Sequence, residues 1–287
     1  MRPVLVGHVG DHRTMDRKQI STVTIQCALD REAAPIRAAL EGRQELALLG
    51  NHVWTGTYAG MNLVVCVGGM GVANSASCAQ FLIDRFDPQA LIFSGIAGSI
   101  NPNLAIGDML IGAEQHYAET NTAIIAECPP YLEYFPADSD LLQAATSAAE
   151  ALGYQRAESV GELVVSGRWR GRDARPAPAV ESERERSGQG AHFVVGNIST
   201  SDRFNTAPEV LDELVTRFRA DGEAMEEASA AQICGKCAVP FLCVRGISNP
   251  CGQAYDDLNS HEADMDRAAD AAARVALKTV SLLNPQG

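Results

Sequence analysis

Short apolar runs alternate with segments of helical periodicity along most of the chain. The runs have the length of buried strands, whereas the periodic segments place apolar residues three or four positions apart. Strands are predicted at 22–28, 45–49, 53–58, 61–67, 91–94, 108–113, 160–166, 193–199 and 239–244. Helices are predicted at 29–40, 72–84, 141–152, 228–234 and 261–283. This alternation predicts an α/β protein in which helices sandwich a sheet within a single domain.

Local signals indicate where some of these elements begin and end. Asp30 is predicted to cap the first helix, with Glu32 in the first turn, where the helix dipole favours an acidic residue. Gly235 is predicted to stop the helix that follows Met225-Glu226. The pair Ala59-Gly60 predicts a turn between two strands of a meander.

Residues 22–287 are predicted to form the domain, and two segments are expected to stand apart from its core. Residues 1–21 are predicted to be a mobile N-terminal extension, because they lack the apolar stretch of a signal peptide. The segment 167–192 carries six arginines and three glutamates and almost no apolar residue after Trp169. Such a composition buries too little surface to offset its ordering entropy, so a polar surface insertion is predicted. An interaction loop is the alternative.

Charge and cysteine content narrow the range of partners. The 36 acidic and 23 basic residues give a formal charge of −13, which argues against a nucleic-acid partner. No run approaches the ~20 apolar residues of a membrane span. Of the eight cysteines, only Cys234 and Cys237 form a close pair, and no second pair matches it. A metal site is therefore not expected, and a reducing, cytoplasmic setting is predicted.

Polar residues follow the predicted strand at 239–244, where open α/β sheets bind ligands. They are Arg245, Ser248 and Asn249, in the sequence Arg-Gly-Ile-Ser-Asn. This segment, with Met225-Glu226 ahead of the preceding helix, resembles the nucleoside phosphorylase and nucleosidase superfamily. The methylthioadenosine/S-adenosylhomocysteine nucleosidase branch is the most similar, over about residues 22–283. The resemblance implies a three-layer sandwich with a mixed, twisted sheet, a homodimer, a nucleoside substrate, and neither a metal nor an organic cofactor.

The resemblance also implies roles for four residues in the chemistry. Glu32 lies in a segment, Ala-Leu-Asp-Arg-Glu, that is similar to the family's Ala-Met-x-x-Glu, which implies a general base for the attacking water. Glu226 is implied to hold the ribose hydroxyls, and Met225 to pack beneath the sugar. Arg245 is implied to orient the water. Taken singly, each has a structural reading as well: a helix-terminal glutamate, a core methionine or an ion-pair partner.

Further residues are implied to bind the substrate. Residues 200–205 resemble the family's Ser-Gly-Asp-x-Phe segment, so Phe204 would stack on the base beside Asn205. The loop with Ile96, Ala97 and Gly98 resembles the family's Gly-x-Ala-Gly, in which glycines allow close approach of backbone to ligand. The remaining candidates are Gly71 and Ser248.

Several features bear on the choice between a hydrolase and a phosphorylase. The glycine loop 68–71, with Ser75 beyond it, is similar to a loop that cradles phosphate in phosphorylases. However, Phe93-Ser94 stands where the hexameric phosphorylases carry a phosphate-binding arginine, and Glu32 would repel phosphate. Water is therefore the predicted nucleophile. A phosphorylase and a non-catalytic nucleoside-binding protein remain the alternatives.

Asn249 departs from the nucleosidase pattern. The family usually has an aspartate there, which protonates the base, and an asparagine cannot donate a proton as an acid does. The sequence Ile-Ser-Asn-Pro-Cys-Gly at 247–252 is similar to futalosine hydrolases, which release hypoxanthine. Either a 6-oxopurine nucleoside or an adenine nucleoside of the methylthioadenosine type is the expected substrate. Ala224 also replaces a common acidic residue of the family.

Overall fold

Eleven strands form one mixed sheet in the computed structural model, which describes residues 21–48, 50–171, 191–253 and 262–284. The strands are β1 Thr22–Cys27, β2 Glu41–Leu48, β3 Asn51–Tyr58, β4 Met61–Val67, β5 Ala90–Ser99, β6 Met109–Tyr117, β7 Phe135–Pro136, β8 Gln155–Arg156, β9 His192–Thr200, β10 Ala220–Ala224 and β11 Phe241–Pro250. The helices are α1 Asp30–Ala38, α2 Val72–Phe86, α3 Thr122–Ile125, α4 Ser139–Ala151, α5 Val160–Val165, α6 Pro208–Phe218, α7 Glu227–Cys237 and α8 Glu262–Leu283.

The strand order of the sheet is β10-β9-β6-β11-β5-β1-β4-β3-β2, with β7 beside β6 and β8 beside β9. The four central strands β11, β5, β1 and β4 are parallel to one another, and β2, β3 and β4 form an antiparallel meander. A further antiparallel pairing joins β10 to β5. This pairing closes the strands from β10 to β5 into a ring, so residues distant in sequence meet at the point of closure.

Helices cover both faces of the sheet. Alternate residues of β5 point to opposite faces, as a pleated strand requires. Ile92 packs in a core with α1, α4 and α8, whereas Leu91 and Phe93 pack in a second core with α2 and α7. A smaller cluster lies around α5 and α6. The predicted three-layer α/β sandwich with a mixed sheet is therefore confirmed.

The predicted strand at 160–166 is wrong, because the segment forms helix α5. The Ser159 side chain accepts a hydrogen bond from the Glu162 backbone N–H, and the Glu162 carboxylate accepts one from the Ser159 N–H. This reciprocal capping starts a helix whatever the strand propensity of the valines that follow. Val160 and Leu163 are buried, whereas Val165 is exposed, which suits one face of a helix.

Two predicted helix ends also differ from the structure. Helix α1 begins at Asp30, which pairs with Arg37, and the residue in the cap position is Leu29. Gly235 lies inside α7, which continues to Cys237 and ends with Ala238 in the left-handed conformation at φ 55°. The sequence patterns also did not predict α3, α6, β7, β8 and β10.

Parts of the predicted extension and insertion lie outside the described residues. This applies to residues 1–20 and 172–190, while His192 already belongs to β9. Within the described part of the chain, no helix has the length and apolar character that crossing a bilayer requires.

Gly246 places β11 directly against α8. A Cβ atom at this position would lie 2.0 Å from the Ala268 carbonyl oxygen. We expect Gly246→Ala to reduce the free energy of unfolding by about 1–3 kcal/mol, the usual cost of overpacking. Gly161→Ala in α5 is the matched control, because the nearest atom to its new Cβ would be 3.7 Å away. Urea denaturation measures both; equal stabilities of the two variants would contradict the predicted contact.

Candidate functional site

A single buried guanidinium lies among three carboxylates at the centre of the candidate site. Arg245 is 1% exposed, and its Nη2 lies 2.9 Å from Glu226 Oε2. Its Nη1 lies 3.8 Å from Glu32 Oε1, and Nη2 also pairs with Glu227. Because these glutamates come from the starts of α1 and α7, the guanidinium joins elements that are far apart in sequence.

Two further contacts fix the direction of the Arg245 side chain. Nη1 donates a hydrogen bond of 3.0 Å to the Ile96 carbonyl, and the guanidinium carbon lies 4.4 Å from the centroid of the Phe93 ring. Burial acts to lower the pKa of Arg245, but the surrounding carboxylates raise it well above its usual value. The side chain therefore stays cationic.

Glu32 is held by backbone groups as well as by Arg245. Its Oε2 accepts hydrogen bonds of 2.9 Å from the N–H groups of Ala28 and Leu29, and Oε1 accepts one of 2.9 Å from Ile96. Burial raises the pKa of this carboxyl, while Arg245 and the three N–H groups act in the opposite direction. A fixed carboxylate of raised basicity is suited to accept a proton from water.

Glu226 occupies the cap position of α7. Its Oε1 accepts a hydrogen bond of 3.1 Å from the Gly71 N–H, at a glycine whose φ of 92° suits no other residue well. Burial raises the pKa of Glu226 to about 7, against the influence of Arg245. The glycine loop therefore contacts the carboxylate predicted to hold the sugar.

Glu227 is a site residue that the sequence patterns did not predict. It is fully buried, pairs with Arg245, and accepts a hydrogen bond of 3.2 Å from the Glu226 N–H. Its signal in the sequence was the second acidic residue after Met225, which the helix dipole also explains, so its complete burial could not be predicted. Three carboxylates around one guanidinium leave an excess of negative charge at this point.

A small cavity lies beside this charged cluster. It has a volume of about 40 Å³ and is lined by Gly98, Arg203, Phe204, Asn205, Glu223, Ala224, Met225, Asn249, Cys251 and Gly252. Five of the predicted substrate-binding or catalytic residues are in this lining. Glu32, Glu226 and Arg245 are not, although Met225 and Ala224 directly precede Glu226. The volume is below the ~300–1,000 Å³ of ligand pockets, so a nucleoside needs the lining to open. Phe204 is 40% exposed at this cavity.

Asn249 lies at an irregularity in the pairing of β11 with β5, where it becomes the partner of Gly98. Its Oδ1 accepts a hydrogen bond of 2.8 Å from the Ser248 hydroxyl, and its Nδ2 donates one of 3.1 Å to the Pro250 carbonyl. Ser248 Oγ also lies 3.3 Å from the Ala97 carbonyl oxygen. The amide is thus held in the cavity wall by residues of its own strand.

The structure therefore divides the predicted residues into two adjoining groups. One group surrounds the guanidinium and comprises Glu32, Gly71, Ile96, Glu226 and Arg245, and the other lines or adjoins the cavity. Across the described residues, no three His, Cys, Asp or Glu side chains are placed to share a metal ion.

Known proteins are similar to this chain over most of its length. The sequence profile of the phosphorylase superfamily matches residues 22–284. A 5′-methylthioadenosine/S-adenosylhomocysteine nucleosidase of Tolumonas auensis is 26% identical over 230 residues, which are 78% of this chain and 84% of that protein. A nucleosidase of the same name from Geobacillus thermodenitrificans is 26% identical over 89% of this chain and 94% of its own.

Solved structures show the same fold. The nucleosidase of Neisseria meningitidis in complex with methylthio-immucillin-A superposes with a TM-score of 0.74 at 22% identity, covering 92% of this chain and 100% of that one. The futalosine hydrolase of Helicobacter pylori gives a TM-score of 0.72 at 21% identity, covering 92% and 99%. The match of the profile to nearly all of the described residues establishes that the chain belongs to the phosphorylase superfamily.

Proposed function

We propose that the protein is a purine nucleosidase, an N-glycosyl hydrolase that cleaves the bond between a purine and its ribosyl group. The observation that carries this proposal is the contact of Arg245 with both Glu32 and Glu226, beside a cavity lined by Phe204 and Asn249. Curated relatives named as nucleosidases, matched over 78% and 89% of this chain, support it.

The contacts suit the three demands of the reaction. Glu32 takes a proton from the water that attacks the anomeric carbon, and Arg245 helps to position that water. Glu226 holds the ribose hydroxyls and offsets the positive charge that develops on the sugar in the transition state. Phe204 stacks on the base, with Met225 beneath the sugar.

Water is preferred to phosphate as the nucleophile because the cations of the site are already engaged. Arg245 is surrounded by three carboxylates, and Arg203 pairs with Glu119 at 3.0 Å. The Gly71 N–H, which a phosphate would need, donates to Glu226. A phosphate dianion would meet an excess of negative charge at this point.

The Asn249 side chain is compatible with two types of purine in the substrate. An amide offers both a donor and an acceptor, which matches the edge of a 6-oxopurine as in futalosine. An adenine nucleoside of the methylthioadenosine or adenosylhomocysteine type is the other candidate. The names of the curated relatives favour the adenine type, and a futalosine hydrolase is among the solved neighbours.

We also place the protein in the cytoplasm as a homodimer. Its eight cysteines are all free, and Cys66 Sγ lies 3.4 Å from Cys78 Sγ without a disulfide, as in a reducing compartment. Exposed Ile124, Tyr131 and Tyr134 supply apolar surface for a second subunit. Sedimentation of the purified chain at several concentrations tests the dimer.

Glu32→Gln tests the proposed base. We expect wild-type protein in phosphate-free buffer to release base from at least one of methylthioadenosine, adenosylhomocysteine, adenosine, inosine and futalosine. Loss of a general base should lower kcat about 100-fold or more with that substrate. Chromatography of the released base gives the rates, and unchanged activity in the variant would remove Glu32 from this role. Absolute dependence on added phosphate would instead identify a phosphorylase, and thermal shifts without base release a binding protein.

Asn249→Asp tests how the base is recognised. An aspartic acid can donate a proton to a 6-aminopurine, so we expect the ratio of kcat/KM for adenosine to that for inosine to rise about tenfold, or about 1.4 kcal/mol. The same assay of both substrates in wild type and variant gives the ratio. A constant ratio would show that this side chain does not read the base.

Glu227→Ala tests the dependence of the site on its unpredicted carboxylate. Arg245 keeps Glu32 and Glu226 as partners in this variant, so we expect the loss of the buried Glu227 contact to cost about 1–3 kcal/mol. Glu213→Ala is the control, because Glu213 pairs with Arg217 on the exposed face of α6, where a pair contributes at most about 1 kcal/mol. Urea unfolding compares the two. Equal losses of stability would mean that Arg245 does not need Glu227.

A further inference from the structure

Glu223 lies in the cavity wall and has no role in the reaction steps proposed above. It lies on β10, and among the described residues that line the cavity it is the sole acidic side chain. Its Oε1 accepts a hydrogen bond from the Asn205 side-chain amide, and Asn205 lines the same cavity. The cavity therefore contains a carboxyl group held in position by an amide.

The closure of the sheet places Glu223 opposite Asn249. Glu223 pairs with Gly98 from one side of β5, and Asn249 pairs with the same Gly98 from the other side. Neighbouring strands lie about 4.8 Å apart, so two such spacings separate the two backbones by about 10 Å. Both side chains line one cavity, which indicates that they face each other across the glycine.

Gly98 lies between the two side chains, and Cys251 packs closely against it. A Cβ atom there would lie 2.7 Å from Cys251 Sγ and 3.4 Å from Asn249 Nδ2. The cavity wall therefore carries an amide on one side of Gly98 and a carboxyl on the other. A purine that enters when the lining opens would have a polar group of the wall on either side of it.

The surroundings of Glu223 suit a proton donor. Burial raises its pKa to about 7; the Asn205 amide opposes this shift and the nearby Glu119 adds to it. A general acid works best when its pKa is close to the working pH. Asn249, which stands where the nucleosidase pattern has its acid, cannot donate a proton in this way.

We propose that Glu223 is the general acid that protonates the departing purine, held by Asn205 and facing the base across Gly98 from Asn249. This inference rests on the proposed nucleosidase function. As the C1′–N9 bond breaks, its electron pair passes to the base, and a ring nitrogen takes the proton of Glu223. Water bonds to C1′ and gives one proton to Glu32. The products are purine and free sugar, and the proton on Glu32 returns through solvent to Glu223, which restores both groups.

Glu223→Gln separates this role from a structural one when two leaving groups are compared. With the purine nucleoside that wild type cleaves best, we expect kcat to fall about 100-fold or more, since general acids contribute about 10²–10⁴-fold. With 4-nitrophenyl β-ribofuranoside, whose nitrophenolate leaves without protonation, we expect kcat to fall less than about threefold. Equal losses with both substrates, or no loss with either, would overturn the proposal.

A second variant tests proton donation directly. Adding Asn249→Asp to Glu223→Gln returns a carboxylic acid to the facing wall, and we expect it to recover at least about tenfold in kcat for the purine nucleoside. A double variant no faster than Glu223→Gln would overturn the proposed role. Glu213→Gln, on the exposed face of α6, is the control for loss of a negative charge. Should wild type release base from no nucleoside, the nucleosidase proposal itself would fail; an active wild type with a fully active Glu223→Gln removes this inference alone.

Discussion

The buried Arg245 guanidinium is the constraint on which the site depends. It contacts carboxylates from the starts of two helices and the backbone of a neighbouring strand, and all of these groups are removed from water. A buried charge is tolerated only when it is paired, so the elements must come together if the arginine is to be folded inside. A lysine could not replace it, because a single ammonium cannot direct donors to several partners in a plane.

Two glycines make room for this arrangement. A Cβ atom at Gly95 would lie 2.2 Å from Arg245 Nη1 and 2.6 Å from Glu32 Oε1. The Arg245–Glu32 pair therefore lies directly against the backbone of Gly95, where no side chain would fit. Gly246, the next residue along β11, lets α8 approach the strand from the other face. Close packing at Gly95 and at Gly246 thus fixes the strands on which the site is built. The position of Arg245 is therefore set by packing as well as by charge.

Most of the charged residues around Arg245 could be predicted from the sequence, whereas Glu223, the acidic residue of the cavity, could not. Glu32, Glu226 and Arg245 lie at helix starts and in a strand, within recognisable motifs. Glu223 has no motif, because its relation to Asn249 arises only through Gly98 and the closure of β10 onto β5. Glu227 was missed because one carboxylate at a helix start was sufficient to explain the motif. The strand predicted at 160–166 failed because local capping by Ser159 outweighed β propensity.

The surroundings of Glu32 and Glu223 differ in how strongly they favour the charged form of the carboxyl group. Burial raises the pKa of both carboxyls, but the opposing influences differ in strength. Glu32 has the Arg245 cation and three backbone N–H donors, all of which favour its anion. Glu223 has one neutral amide from Asn205 and a second acid nearby, so less opposes its protonated form. The proposed hydrolysis needs a base on the side of the sugar that water attacks and an acid on the side of the purine. Two glutamates whose environments push their pKa values apart supply both groups.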